Sequence, residues 1–334
     1  MVRHEPQAEE VDLQLPIARP YLARPVYPLS CGEAMPELSH GEGEAEQRIL
    51  HGLRLAVLLS IVILAVESLG ALLSRSLSIT VDAVHNIPDI LAFSVSWTAL
   101  QGTKSGASAK FTYGTHRVEV FAGILNGLLV LGTGTVFGYE ALYALLRSAT
   151  FAGKVDPVWL LVAAVPTLAL RFANLRGLGL LPGRVRDLNL RSVVVHLASD
   201  VVITGTLLAT GLTILARPSF RSADTLGALA IAGILVYESV PLLRRGWEVL
   251  TERTPRELST DTITRAALSV PGVREVHDLH VWAVCDTLVC LTAHVGVGPI
   301  SMNEAMAVTK ELRTRMENEF GIVHATFEVE ASAA

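Results

Sequence analysis

The chain has 334 residues, 51% of them hydrophobic and 18% charged, a balance that excludes an intrinsically disordered chain and a basic nucleic-acid-binding protein. Its net charge of −5 is unevenly spread, with a basic excess over residues 51–250 and acidic segments on either side. Three cysteines (Cys31, Cys285 and Cys290) contain no Cys-x-x-Cys pair and are too few for a disulfide framework, which excludes a stapled secreted domain and a cysteine zinc finger.

Residues 1–50 hold several prolines and scattered acids with neither a helical nor a strand period, and are predicted to form a disordered cytosolic tail. Six apolar stretches follow, at about 55–73, 79–100, 118–146, 157–180, 190–216 and 223–243, each close to or above the roughly 20 residues that cross a bilayer. The first begins too far into the chain, and is too long, to be a signal peptide. The third is longer than a bilayer requires and is expected to project beyond it. The fourth is interrupted by Arg171, Asn174 and Arg176. Residues 51–250 therefore read as a six-helix transmembrane domain.

The basic residues set the orientation. Lys104, Lys110 and Arg117 follow the second span, Arg176, Arg184, Arg186 and Arg191 the fourth, and Arg244, Arg245, Arg253 and Arg256 the sixth. The opposite links carry only Arg75, then Arg147 and Lys154, then Arg217 and Arg221. The richer side belongs inside, so both termini are expected in the cytoplasm. The compact loops point to a bacterial inner (plasma) membrane.

Residues 251–334 change character. A helical spacing at 255–269, Val-rich alternation at 273–283 and 287–296 with a turn near Cys285-Asp286, an amphipathic helix at 301–319 and a strand at 322–330 predict a cytosolic αββαβ domain of two layers.

The chemistry lies in two of the spans. The second contains His85-Asn86-Ile87-Pro88-Asp89 and the fifth His196-Leu197-Ala198-Ser199-Asp200. In each, His and Asp are four apart, so they share one helix face a turn apart. A single such pair serves equally as a local staple. Two pairs in separate spans favour a common ion, because a carboxylate at mid-membrane costs about 2.5–3.5 kcal/mol and is rarely idle. Two imidazole nitrogens and two carboxylate oxygens suit a tetrahedral dication such as Zn²⁺ better than Cu(I) or Mg²⁺. Metal binding needs neutral imidazole, whose ordinary pKa lies near 6.5, so a proton arriving at His85 or His196 competes with the metal. Pro88, between the two ligands of the second span, removes a backbone donor and is expected to bend the helix. Asn126 and Asn174 are expected to hydrogen-bond between helices.

The segments Ser76–Asp89, Tyr113–Asn126 and Asp187–Asp200, with Val276-His277-Asp278-Leu279-His280-Val281-Trp282 near the end, resemble the cation diffusion facilitator family of the zinc-transporter type over residues 50–330. The resemblance implies an α-helical membrane protein of six transmembrane helices plus a C-terminal α+β ferredoxin-like, metallochaperone-like cytosolic domain (251–334). It implies a homodimer and efflux of Zn²⁺ in exchange for H⁺ through His85, Asp89, His196 and Asp200. It gives Asp82 and Glu67 a place beside the site or along the ion's path, with helix packing as the equal alternative. It also implies a regulatory metal site at His277, His294 and Glu330. His324 either joins that site or faces the membrane domain near His116, and Asp278 is placed to orient an imidazole. The link Gly177–Arg186 carries no His, so the His-rich loop common in relatives is missing there.

Three readings compete with zinc efflux. Co²⁺, Cd²⁺ or Ni²⁺ fits the same mechanism, since affinity order alone does not set selectivity. An intramembrane zinc enzyme keeps an open coordination position and a nearby base, and no His-Glu-x-x-His occurs here. A metal sensor with a membrane anchor leaves the paired ligands of two spans without a purpose.

Overall fold

The computed structural model describes residues 40–102, 110–114, 116–147, 155–179, 188–220, 222–285 and 288–331. The tail expected over 1–50 lies outside them up to residue 39, as do Lys104, Lys154, Arg184, Arg186 and Arg221 of the links and Asp286 of the expected turn. Six long helices come first: α1 (His40–Ser74), α2 (Leu77–Gly102), α3 (His116–Leu146), α4 (Pro157–Gly179), α5 (Leu188–Ala216) and α6 (Ala223–Leu250). Among the described residues five are long and apolar enough to cross a membrane, within α1, α3, α4, α5 and α6. The other, α2, runs for 26 residues. The end of the stretch assigned to the tail is helical from His40, where the Glu-Ala-Glu-Gln run of good helix formers extends α1 ahead of its apolar part.

The helices bury a core of Leu77, Ile79 and Val81 from α2 against Leu160 and Ala163 of α4, Ile203 and Leu207 of α5, and Ile231 and Leu235 of α6. Large apolar side chains such as Leu58, Leu72, Phe121, Leu125, Val162 and Tyr237 point outward instead, as a lipid-facing surface requires. Small residues let the helices approach closely: Gly70 of α1 abuts Ala163 of α4, and Gly246 of α6 abuts Ile124 of α3, with no room for a Cβ at either glycine.

The start of α2 is held from a distance. Asp224, in the first turn of α6, accepts hydrogen bonds from the Leu77 N–H (2.6 Å), the Ser78 N–H (3.3 Å), the Ser78 hydroxyl (2.6 Å) and the Ser76 hydroxyl. It caps a helix to which it does not belong and satisfies donors that a helix N-terminus leaves free.

The C-terminal unit has α7 (Thr260–Leu268), β1 (Val273–Ala283), β2 (Val289–Val297), α8 (Met302–Phe320) and β3 (His324–Ala331). The strands lie in the order β1-β2-β3, with β1 antiparallel and β3 parallel to β2. Ile263, Val281, Leu291, Val295, Leu312, Met316 and Phe327 form its own core between sheet and helices. The helix expected from 255 begins only at Thr260, because Pro255 opens a turn closed by the Leu258 N–H on its carbonyl (3.0 Å). Ser301 and Glu304 make a reciprocal capping box at the start of α8, and Gly321 (φ 67°) ends it.

Candidate metal centre

The spacing of four on α2 and α5 does what helix geometry demands. His85 and Asp89 face His196 and Asp200, and one ligand atom from each of the four residues lies within 4.8 Å of the others. His196 Nε2 is 3.0 Å from Asp89 Oδ1, His85 Nε2 is 3.4 Å from Asp89 Oδ2 and 3.7 Å from Asp200 Oδ1, and the two imidazole rings meet edge to face at 5.9 Å. His85, Asp89 and Asp200 are buried, while His196 is partly accessible. Both ring nitrogens of His85, Asp89 Oδ2 and Asp200 Oδ1 are buried without a hydrogen-bond partner among the described residues. Buried polar atoms left unpaired are costly, and here several converge on one small volume. Pro88 does not break α2, which continues through it.

Next to this cluster lies a charge that sequence reasoning treated only as an interruption of the fourth span. Arg171 of α4 is 2% exposed. Its Nη2 donates to Asp82 Oδ1 (2.8 Å), Asn86 Oδ1 (3.2 Å) and Glu67 Oε1 (3.3 Å), and its Nη1 to the backbone carbonyl of Asp200 (2.8 Å). Asn86 Nδ2 in turn donates to Glu67 Oε2. Glu67 and Asp82 are therefore ion-paired, and one guanidinium joins α1, α2, α4 and α5. Two unmatched carboxylates in neighbouring spans were the available signal, since charges inside a membrane pair with one another. Asn126, expected to bond between helices, keeps a buried Oδ1 with no partner among the described residues.

The site residues of the C-terminal unit divide into two places. The antiparallel register sets His277 opposite His294, their rings 5.3 Å apart. Glu330 reaches both, at 2.7 Å from His294 Nδ1 and 3.4 Å from His277 Nε2, so these three offer a second metal-sized cluster. Asp278 stands at a register shift with φ 49°, where its carboxylate holds His280 Nε2 (2.9 Å) and approaches His294 Nε2 (3.6 Å). His324 does not join the cluster. The parallel register places it opposite Cys290, six positions along β3 from Glu330, about 20 Å at strand rise. There its Nε2 is 3.4 Å from the Tyr113 hydroxyl, while His116 Nδ1 approaches Cys285 Sγ at 3.5 Å. Both pairs link the α2–α3 side of the membrane domain to the C-terminal unit.

Residues 53–251 match the cation efflux transmembrane domain family, and residues 255–332 match the cation efflux protein cytoplasmic domain. The metal cation efflux system protein CzcD of Cupriavidus metallidurans is 29% identical over 278 residues, covering 83% of this chain and 85% of that protein. The proton-coupled zinc antiporter SLC30A2 of Mus musculus is 26% identical over 302 residues, covering 87% of this chain and 80% of that protein. A cadmium, cobalt and zinc/H⁺-K⁺ antiporter of Bacillus subtilis is 24% identical over 270 residues, covering 80% and 85%. With six long helices followed by a small three-stranded domain, and with more than half its length matched by one family, the chain is an integral membrane protein that belongs to the cation diffusion facilitator family of metal cation efflux transporters.

Proposed function

We propose that this transporter exports Zn²⁺ from the cytoplasm in exchange for protons, and that His85, Asp89, His196 and Asp200 hold the ion. The observation that carries this reading is the convergence of four donor atoms within 4.8 Å, several of them buried and unpaired. Two nitrogens and two oxygens suit a tetrahedral dication. The imidazoles bind metal only when neutral, so protonation at His85 or His196 competes with the ion. Alternate opening of the site to the two sides then loads Zn²⁺ inside and discharges it outside as protons bind.

The named activities of the mouse and Bacillus relatives, both coupled to protons and both including zinc, support the exchange. Cd²⁺ and Co²⁺, named for the Bacillus protein, are the second cargo reading on the same site. His277, His294 and Glu330 form a regulatory metal site in the cytosolic domain, and the chain works as a homodimer with that domain in the cytosol. The transport domain runs from near residue 50, within α1, to near residue 250, and the cytosolic domain begins near residue 251. The charge distribution of the links supports cytoplasmic termini, and their compactness a bacterial inner membrane.

Flux in proteoliposomes containing only this protein tests the reading. Zn²⁺ uptake is expected to follow an imposed pH gradient and to disappear in Asp200→Ala protein that remains monodisperse. Uptake indifferent to the gradient removes proton coupling, and uptake surviving Asp200→Ala removes the site.

A further inference from the structure

The two ends of the Arg171 guanidinium do different work. Nη2 is held by Asp82, Asn86 and Glu67. Nη1 donates to the Asp200 backbone carbonyl and lies 3.8 Å from Asp200 Oδ1. That same oxygen is 3.7 Å from His85 Nε2, is buried and has no hydrogen-bond partner among the described residues. One ligand oxygen of the metal centre thus stands between an imidazole on one side and a fixed cation on the other, paired in charge with Arg171 but not bonded to it.

We propose that Arg171 is a tethered counter-cation for Asp200, a positioning residue that neutralises this carboxylate while no metal is bound and opposes the metal once it arrives. The proposal rests on the reading of His85, Asp89, His196 and Asp200 as the transport site.

A carboxylate buried without a cation is expensive, and a guanidinium at ion-pair distance offsets that cost. When a dication takes its place among the four ligands, the guanidinium becomes a like charge a few ångströms away. It cannot withdraw, because three side chains and a backbone carbonyl hold both its ends. Its charge is present at every working pH. Arg suits the task better than Lys, since the planar fork reaches α1, α2 and α5 at once while Lys supplies only a point charge. The consequence is a site whose affinity is held down. A carrier must release what it binds, and a four-ligand zinc centre without such opposition holds its ion too firmly for rapid turnover.

A balanced substitution separates this role from a structural one. Glu67→Gln with Arg171→Gln removes one positive and one negative charge, and leaves the net charge of the Arg171 cluster unchanged. Asp82→Asn with Arg171→Gln does the same from the other side and serves if the first pair fails to fold. Zn²⁺ itself is the probe, titrated onto the purified full-length chain carrying His277→Ala and His294→Ala so that the membrane site is read alone. An Asp200→Ala control in this background must lose the binding. If it does not, the transport-site reading is wrong independently of Arg171.

With that control satisfied, the balanced pair is expected to bind Zn²⁺ about tenfold more tightly. In proteoliposomes it should show a lowered KM and a lowered maximal flux. Glu67→Gln alone, which keeps the Arg171 charge, is not expected to tighten binding. A folded balanced pair whose affinity is unchanged or weaker overturns the proposal, and so does Glu67→Gln alone if it tightens binding as much as the pair.

Discussion

Two histidine–carboxylate clusters in this chain face opposite environments. The membrane cluster joins His85 and Asp89 of α2 to His196 and Asp200 of α5, with several ligand atoms buried and unpaired. The C-terminal cluster joins His277, His294 and Glu330 on one sheet, where His277 is 45% exposed and Glu330 bonds His294 at 2.7 Å. The donor chemistry is nearly the same, but the cost of leaving it empty is not. In water an idle His–Glu pair costs little, so its presence argues weakly for a task. Between packed helices the same groups are maintained against a steep desolvation penalty. The membrane domain accordingly surrounds its site with further charge, in Arg171, Glu67 and Asp82, whereas the C-terminal cluster has the exposed carboxylates of Asp278 and Glu328 beside it among the described residues.

The contrast can be broken at several points. The largest effect is expected from Asp89→Ala, which removes one of the four donors of the proposed site and the 3.0 Å contact from Asp89 to His196. Zn²⁺ flux in proteoliposomes should fall by about 100-fold or more. Flux within a fewfold of the parent sinks the distinction between the two clusters. Next is Asp224→Ala, which strips four hydrogen bonds from the start of α2. The purified protein should lose about 3 kcal/mol of stability, read from its melting curve, and His85 and Asp89 should lose their fixed placement with it. An unchanged melting curve means that α2 does not depend on this distant cap.

His294→Ala is expected to do less. It removes the imidazole shared by Glu330 and His277 and should weaken metal binding by the cytosolic domain about tenfold or more. Maximal Zn²⁺ flux should persist, and its abolition makes the cytosolic cluster part of the transport path. Smallest is Ser301→Ala, which removes the α8 capping box at a cost of about 1 kcal/mol. The hydrogen bonds from Ser301 hold the Glu304 carboxyl below its ordinary range. Because that value is depressed in the folded state, the box stabilises α8 at neutral pH and keeps doing so until pH falls through the lowered value. Hydrogen exchange in the first turn of α8 should therefore stay slow at neutral pH and quicken only in acid. The same protection before and after Ser301→Ala denies the box its role.

Much of the plan was legible in the residues because it rests on local period. The six apolar runs, the αββαβ order and the one-turn spacing of each His-x-x-x-Asp pair all follow from helix and strand geometry. Boundaries were less legible. A turn at Pro255 delays α7, and helix formers carry α1 back to His40, and both outcomes depend on a few residues at the edge of a pattern. His324 was placed in either of two sites because the parallel pairing of β3, which separates it from Glu330, leaves no trace in alternation alone. Arg171 looked like damage to a span because its partners come from α1, α2 and α5, far away in the chain.

By itself the sequence determined which segments enter the bilayer and which donor types they bring. It did so through hydrophobic run length and helical spacing, which act between residues a few positions apart. Tertiary structure alone decided that α2 and α5 face each other with their His and Asp side chains in register. It also decided that Asp224 caps α2 from α6, and that a buried guanidinium stands behind Asp200. Those outcomes depend on how helices pack and on which charge finds which partner once water is excluded, and neither is encoded within a single segment.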